Sequence, residues 1–511
     1  MRAATTGLGF TRALQAQGIL SKARYVSSTS GGSWLNAALT FNKKSTPAEF
    51  LGPYLAPEEL TVDALEGDEE AVLGAHGKTF ASALSSSRMI ATFTEELIED
   101  LFTAGCSRNQ ARAWTEAVAR SYLEPFDLGN CVTSATTALG TRGDVAGKLE
   151  LNKSRLGLTD IYAWDPSASL PYPILTEAIL RPKESLARFI PMEWTPLYAG
   201  VPSKITDTSG AKFGSGFIES YARNGKFISK LKTASEGQLQ ALVEVKLTGP
   251  STLALSAGIS SGYVPYMLQL GKNNKEELES RLMGSDTLDY FDPQTLTNQP
   301  KVSVADGGGA DYWGIYPLLR RGVRKIICWV ATVSPVSIDW TTDDDSLTVY
   351  FGRWKGGKLP KGVTLEDFNK SKQVFESEAW EGVLSDLKAR DEAGGAVWSR
   401  RKLKVVDNPF LGIKGNNEVD LLLILNAPSK IWESKLPAAT RDYIRAANET
   451  LGEEVTDKVS ALQPFVPAGV ADVPLVGTMK MAYKPDLVVM LSNFAAWATT
   501  ECAGEIKSML E

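Results

Sequence analysis

Two stretches of the chain, Ile326-Ile327-Cys328-Trp329-Val330 and Leu421-Leu422-Leu423-Ile424-Leu425, are apolar at every position. Both have strand length, and a strand without polar alternation is covered on both faces, the kind found in parallel sheets. Upstream of them Val302 and Val304 alternate with polar neighbours until Asp306-Gly307-Gly308-Gly309 breaks the strand. Tyr316-Pro317-Leu318-Leu319-Arg320-Arg321 then starts a helix whose paired arginines and following Gly322 form a stop signal. Near the start, residues 3–17 read as a helix rich in Ala, Thr and Leu, ended by Gly18. A short strand, Ala23-Arg24-Tyr25-Val26-Ser27, follows, then the small-residue turn Ser28-Thr29-Ser30-Gly31-Gly32-Ser33 and a helical stretch from Trp34 to Leu39. Asp486-Leu487-Val488-Val489-Met490 begins the last packed segment. Residues 45–300 are irregular, with Pro-rich connections from Pro166 to Pro173 and from Pro191 to Pro202. The pattern predicts one α/β domain over residues 1–511, with 45–300 as an insertion or cap within it.

Composition narrows the class. With 43% hydrophobic and 22% charged residues, 44 Gly and 25 Pro, the chain is neither disordered, collagen-like nor disulfide-stapled. Its 54 basic and 60 acidic side chains leave a net charge of −6, so no uniformly basic surface is available for nucleic acid. Cys106, Cys131, Cys328 and Cys502 are far apart with no C-x-x-C pair, which fits a reducing compartment. No apolar run reaches the ~18–20 residues that cross a bilayer, and the first residues lack the unbroken apolar core of a signal peptide. The expected location is cytoplasmic, with contact to membranes but no span. The acidic run from Glu58 to Glu70 lacks the ordered spacing of a calcium loop and reads as a solvated face.

The histidine count excludes most. His76 is the only one, so a two-histidine zinc site cannot be built, and a Ser-His-Asp triad would have to pass through that single residue. A serine set in small residues between a strand and a helix is a nucleophile elbow, where the positions two before and two after must be small. Here they are Ser28 and Gly32, and the N–H of Gly31 would point toward an oxyanion. A plain strand-to-helix turn would look the same. Asp306 ends a strand ahead of three glycines, which permit backbone conformations closed to other residues; catalytic groups in open α/β sheets gather at the carboxyl ends of strands. The competing reading is a turn-forming Asp-Gly. Arg320, Arg321, Arg324 and Lys325 form a basic cluster, read either as a helix C-cap on a solvated face or as a patch for anionic head groups.

Tyr25-Val26-Ser27-Ser28-Thr29-Ser30-Gly31-Gly32-Ser33-Trp34 resembles the serine motif of the cytosolic phospholipase A2 and lysophospholipase catalytic domain. Asp306-Gly307-Gly308-Gly309 with Tyr316 to Gly322 resembles the Asp-Gly-Gly segment of the wider patatin-like group. Arg2-Ala3-Ala4-Thr5-Thr6-Gly7 looks like the tail of that family's Gly-rich oxyanion loop, and Glu193-Trp194-Thr195-Pro196-Leu197-Tyr198 like a segment between serine and aspartate. The resemblance covers most of residues 1–335. It implies a patatin-like fold: a central, mostly parallel sheet flanked by helices, with a large lid or cap between the two motifs.

It also implies a Ser-Asp dyad, with Ser30 the nucleophile, Asp306 the general base, Gly31 an oxyanion donor and Arg2 a contact for the substrate phosphate, without cofactor or metal. The implied partners are a phospholipid or lysophospholipid and a peripheral membrane surface. Two departures stand against it. Ser28 replaces the glycine often found two before the nucleophile, and the chain begins within the oxyanion loop, which reads as an N-terminal truncation. The alternative is therefore a silent or weakly active relative that binds lipid or a protein partner. A patatin-type acylhydrolase with broader lipid choice is a third reading, and a serine peptidase has little to work with.

Overall fold

The structure, a computed structural model, describes residues 1–66, 72–75, 77–86, 112–128, 138–142, 160–180, 189–206, 212–214, 216–232, 242–248, 251–262, 287–293, 295–331, 345–355, 359, 363–454 and 483–511. Helix α1 (Arg2–Ala16) stops as its sequence predicts, with Gly18 in the left-handed region at φ +66°. Strand β1 (Tyr25–Ser28) leads into α2 (Gly32–Phe41), and α3 (Arg112–Tyr122) follows. Strands β2 (Tyr172–Leu180), β3 (Phe189–Trp194), β4 (Tyr198–Val201) and β5 (Gly216–Glu219) precede α4 (Leu253–Ser260). Then come β6 (Thr287–Asp292), β7 (Thr297–Asp306), α5 (Tyr316–Arg320) and β8 (Lys325–Val330). Strands β9 (Trp398–Lys404) and β10 (Glu418–Leu425) and helices α6 (Pro485–Glu501) and α7 (Ala503–Leu510) complete the set used below.

Among the described residues the main sheet has seven strands in the order β6-β7-β2-β3-β4-β5, with β1 also paired to β2. The expectation of a mostly parallel sheet is corrected here. Only β1 and β2 run parallel, and every other pairing in this sheet is antiparallel. Short links explain the direction: Thr195, Pro196 and Leu197 alone join β3 to β4, whereas a parallel crossover needs a dozen residues or more. Pro173 and Pro191, expected in connections, lie inside β2 and β3. Each sits beyond the end of the pairing on one side, where no ladder bond asks for its N–H. Parallel pairing does occur between the two all-apolar runs, β8 and β10, with β9 antiparallel beside them. On β8, Ile326, Cys328 and Val330 join one core, while Ile327 and Trp329 pack toward the other, so no position is left for a polar residue.

Helix α6 is buried at every residue from Asp486 to Thr499. A helix apolar nearly all round is an interior one. It crosses α1 at Gly9, where a Cβ would come within 1.9 Å of the Ser492 carbonyl oxygen, so only glycine fits. Among the described residues no helix is long and apolar enough to cross a membrane.

Strand β2 has three partners and only two edges. Strand β3 occupies one edge along residues 175–180. The other is shared: β1 pairs with residues 172–175 and β7 with residues 177–180, running in opposite directions. Their carboxyl ends meet head-on at Thr176. Beside this junction Glu177, fully buried, accepts from Arg223 Nη1 at 2.5 and 2.7 Å, and Arg223 is 1% exposed. Desolvation pushes the Glu177 carboxyl up to about 7, against the pull of the guanidinium. Removing one partner leaves a buried charge uncompensated, so Arg223→Ala should cost about 3–5 kcal/mol in urea unfolding; a loss within experimental error would show that water reaches Glu177.

Candidate active site

The junction brings together the two sequence motifs. Ser30 lies between β1 and α2 with φ +54°, in the left-handed region that non-glycine residues rarely occupy. That conformation is held from outside the turn, because the Ser30 N–H donates to the Ser260 carbonyl at the end of α4 at 3.0 Å. The Ser30 hydroxyl donates to Asp306 Oδ2 at 2.8 Å, across 276 positions of sequence. The other carboxylate oxygen, Oδ1, accepts from the Gly308 N–H at 2.7 Å. Both residues sit at the carboxyl ends of their strands, but the strands point at each other rather than side by side.

The glycines after Asp306 serve a different purpose from the one expected. None of the three has a positive φ. They are needed for room: a Cβ on Gly307 would lie 2.2 Å from the Thr176 carbonyl oxygen, and one on Gly309 would lie 2.6 Å from the Phe189 ring. This lets the loop close tightly over β2 and buries Asp306 to 4% exposure. Burial pushes the Asp306 carboxyl up to about 7, while the hydrogen bonds from Gly308 and Ser30 pull it down.

Gly31 is the N-cap of α2, and among the described residues its N–H makes no hydrogen bond. It packs against the first turn of α1, where a Cβ would stand 3.3 Å from the Ala4 nitrogen. Two helix N-termini thus converge beside Ser30, and each carries partial positive charge. Arg2 is buried, with Nη2 donating to the Ala331 carbonyl at 2.8 Å, and it lines the same cavity as Ser30 and Asp306. The cavity measures about 1010 Å³. Phe10, Leu14, Leu35 and Trp329 supply apolar wall, while Lys22, Arg24 and Lys325 line it as exposed cations. Asp306 is the one acidic side chain among the described lining residues.

Other expectations fare differently. Arg320 and Arg321 are not on a solvated face: they converge on buried Glu193 at 3.0 and 2.9 Å, and Arg321 also lies over the rings of Tyr25 and Tyr198. The ion pairs fasten α5 to β3. Arg324 and Lys325 remain exposed. His76, Cys106, Cys131 and the end of the acidic run lie outside the described residues. Cys328 and Cys502 are buried free thiols, held protonated by desolvation. Sequence reasoning missed Ser260 and Thr176, which meet the two motifs through main-chain carbonyls that any residue carries. It also missed Lys372, a half-buried lysine whose Nζ donates to the Ala310 carbonyl at 3.0 Å behind the Asp306 loop.

No protein-family model matches the chain, and no curated protein matches it. Among solved structures, human GIVD cytosolic phospholipase A2 is similar at TM-score 0.46 and 13% identity, over 100% of this chain and 60% of that chain. The human enzyme in complex with methyl gamma-linolenyl fluorophosphonate gives TM-score 0.37 and 13% identity, over 100% of this chain and 56% of that one. The chain spans about 60% of the length of that neighbour. At these values the likeness carries no argument about chemistry, and the side chains must supply it.

The raised Asp306 pKa has a sign that can be tested. A carboxyl held above its unfolded value of ~4 favours folding while protonated, and that stability is lost as pH rises to about 7. Asp306→Asn, which cannot ionise, should gain stability relative to the native chain between roughly pH 4 and 7 and hold a constant advantage above that. Denaturant titrations at pH 4, 5.5, 7 and 8.5 check this; a difference independent of pH would show that Asp306 ionises in the fold as it does in water.

Proposed function

We propose that the chain is a serine-dependent lipid acyl hydrolase that cleaves fatty-acyl esters of glycerophospholipids or lysophospholipids. The hydrogen bond from Ser30 to the buried Asp306 carboxylate, on the wall of an apolar cavity with cationic lining, carries this reading. In the proposed reaction Asp306 takes the hydroxyl proton of Ser30 as Oγ attacks the ester carbonyl. The Gly31 N–H donates to the oxyanion, aided by the convergent helix N-termini, and such a donor contributes roughly 10²–10³ in rate. Collapse expels the alcohol, which takes the proton from Asp306, and leaves an acyl group on Ser30. Asp306 then deprotonates water for the second half. Arg2 would pair with the phosphate, the apolar walls would hold the acyl chain, and the exposed cations would meet a peripheral membrane surface from the cytoplasmic side. Residues 1–511 would form one catalytic domain, with parts of 45–300 capping the cavity.

Hydrolysis of labelled phospholipid and lysophospholipid vesicles tests the proposal. Ser30→Ala and Asp306→Asn should each abolish release of fatty acid, and combining them should add little because the two act as a unit. His76→Ala should stay within a few-fold of the native rate. The rate should rise with pH through about 7, because only ionised Asp306 accepts the proton. If His76→Ala proves as damaging as Ser30→Ala in a folded protein, the dyad is wrong.

A further inference from the structure

Ser28 needs only to be small for the turn at Ser30 to close, yet its hydroxyl is engaged. Asn36 Nδ2 donates to Ser28 Oγ at 2.9 Å, and Ser28 Oγ lies 3.1 Å from Ser33 Oγ. Ser33 Oγ in turn lies 2.7 Å from Ser260 Oγ, which donates to the Thr176 carbonyl at 2.6 Å. The directions follow from the inventory of protons. A carbonyl only accepts, so the single hydroxyl proton of Ser260 is committed to Thr176 and Ser260 must accept from Ser33. The Ser33 proton is then spent, so Ser33 must accept from Ser28. The other acceptor near Ser28, the Ile174 carbonyl at 3.4 Å, is the longer contact. Ser33 and Ser260 are fully buried, and Asn36 and Thr176 nearly so. Ser28 is half-buried at the cavity wall, and it is the carbonyl acceptor at the far end that sets the order of donors.

We infer that this directed chain, Asn36 to Ser28 to Ser33 to Ser260 to Thr176, positions Ser30 against Asp306; the inference rests on the proposed function for its consequence but not for its existence. Its members tie β1, α2, α4 and β2 together around the serine turn. Ser260 has two tasks: its hydroxyl is pinned to Thr176, and its carbonyl accepts the Ser30 N–H at 3.0 Å. Pinning the side chain fixes the carbonyl, which keeps Ser30 in its left-handed conformation and leaves the Gly31 N–H unused. The far end of the chain is the same Thr176 carbonyl on which Gly307 packs, next to Asp306. The chain therefore spans from the serine turn to the aspartate loop. None of its members touches Oγ of Ser30 or the carboxylate, so they are positioning residues.

The test removes a link without removing bulk. Ser28→Ala and Ser33→Ala should each lower kcat by about tenfold, the order expected for one hydrogen bond, with KM within about twofold. Labelling of Ser30 by a small uncharged fluorophosphonate should slow in parallel. The double variant should be no slower than the worse single one, because either break interrupts one chain. Ser28→Thr, which keeps the hydroxyl at a half-buried position, should retain most of the rate. Unchanged kcat and labelling with a lowered melting temperature would overturn the inference, as would additive losses or a Ser28→Thr as slow as Ser28→Ala. If the native protein neither hydrolyses lipid nor takes the label, it is the hydrolase reading that fails. Hydrogen exchange then decides the positioning role: faster exchange of the Ser30 amide in Ser33→Ala supports the chain, and unchanged exchange refutes it.

Discussion

One edge of β2 carries two strands that arrive from opposite directions, and the gap between their ends at Thr176 determines where the site forms. A strand edge offers one row of hydrogen-bonding groups, so β1 and β7 cannot overlap along it. Each must turn away where the other begins. The turn after β1 holds Ser30 and Asp306 is the last residue of β7, so edge sharing delivers both to one place. Had both strands run parallel on opposite edges of β2, about 10 Å of sheet would separate their ends. The antiparallel run of β7 is thus the condition for the contact.

That junction is crowded, and crowding sets its electrostatics. Gly307 and Gly309 allow the aspartate loop to lie against Thr176 and Phe189, which leaves Asp306 only 4% exposed. The carboxyl responds as a desolvated acid does, moving upward, while its two hydrogen bonds oppose the shift. Ser30 is held in a strained backbone conformation by a carbonyl from α4, a helix that belongs to neither motif. Buried pairs such as Glu177 with Arg223 and Glu193 with Arg320 and Arg321 brace the surrounding strands. They contribute more to holding one arrangement of β2, β3 and α5 than to net stability, since desolvation offsets much of their attraction.

The features legible in the amino-acid sequence are local ones. The stop at Gly18, the strand-turn-helix around Ser30, the break at Asp306 and the apolar runs that became β8 and β10 all follow from side-chain period, small residues and glycine placement, which act over a few neighbours. Strand direction was decided only by the tertiary structure, because an apolar or alternating strand reads the same whichever way its neighbour runs. The same holds for Arg320 and Arg321: paired arginines at a helix end suit solvent or a buried carboxylate equally, and only the fold brings Glu193 to them. The three glycines were legible as a special place but not for their cause, since a need for φ and a need for room leave the same residue. Ser260 and Thr176 left no trace in the sequence. Their carbonyls, common to every residue, and the Ser260 hydroxyl reach the site only through long-range packing, which alone determined which ones would be used.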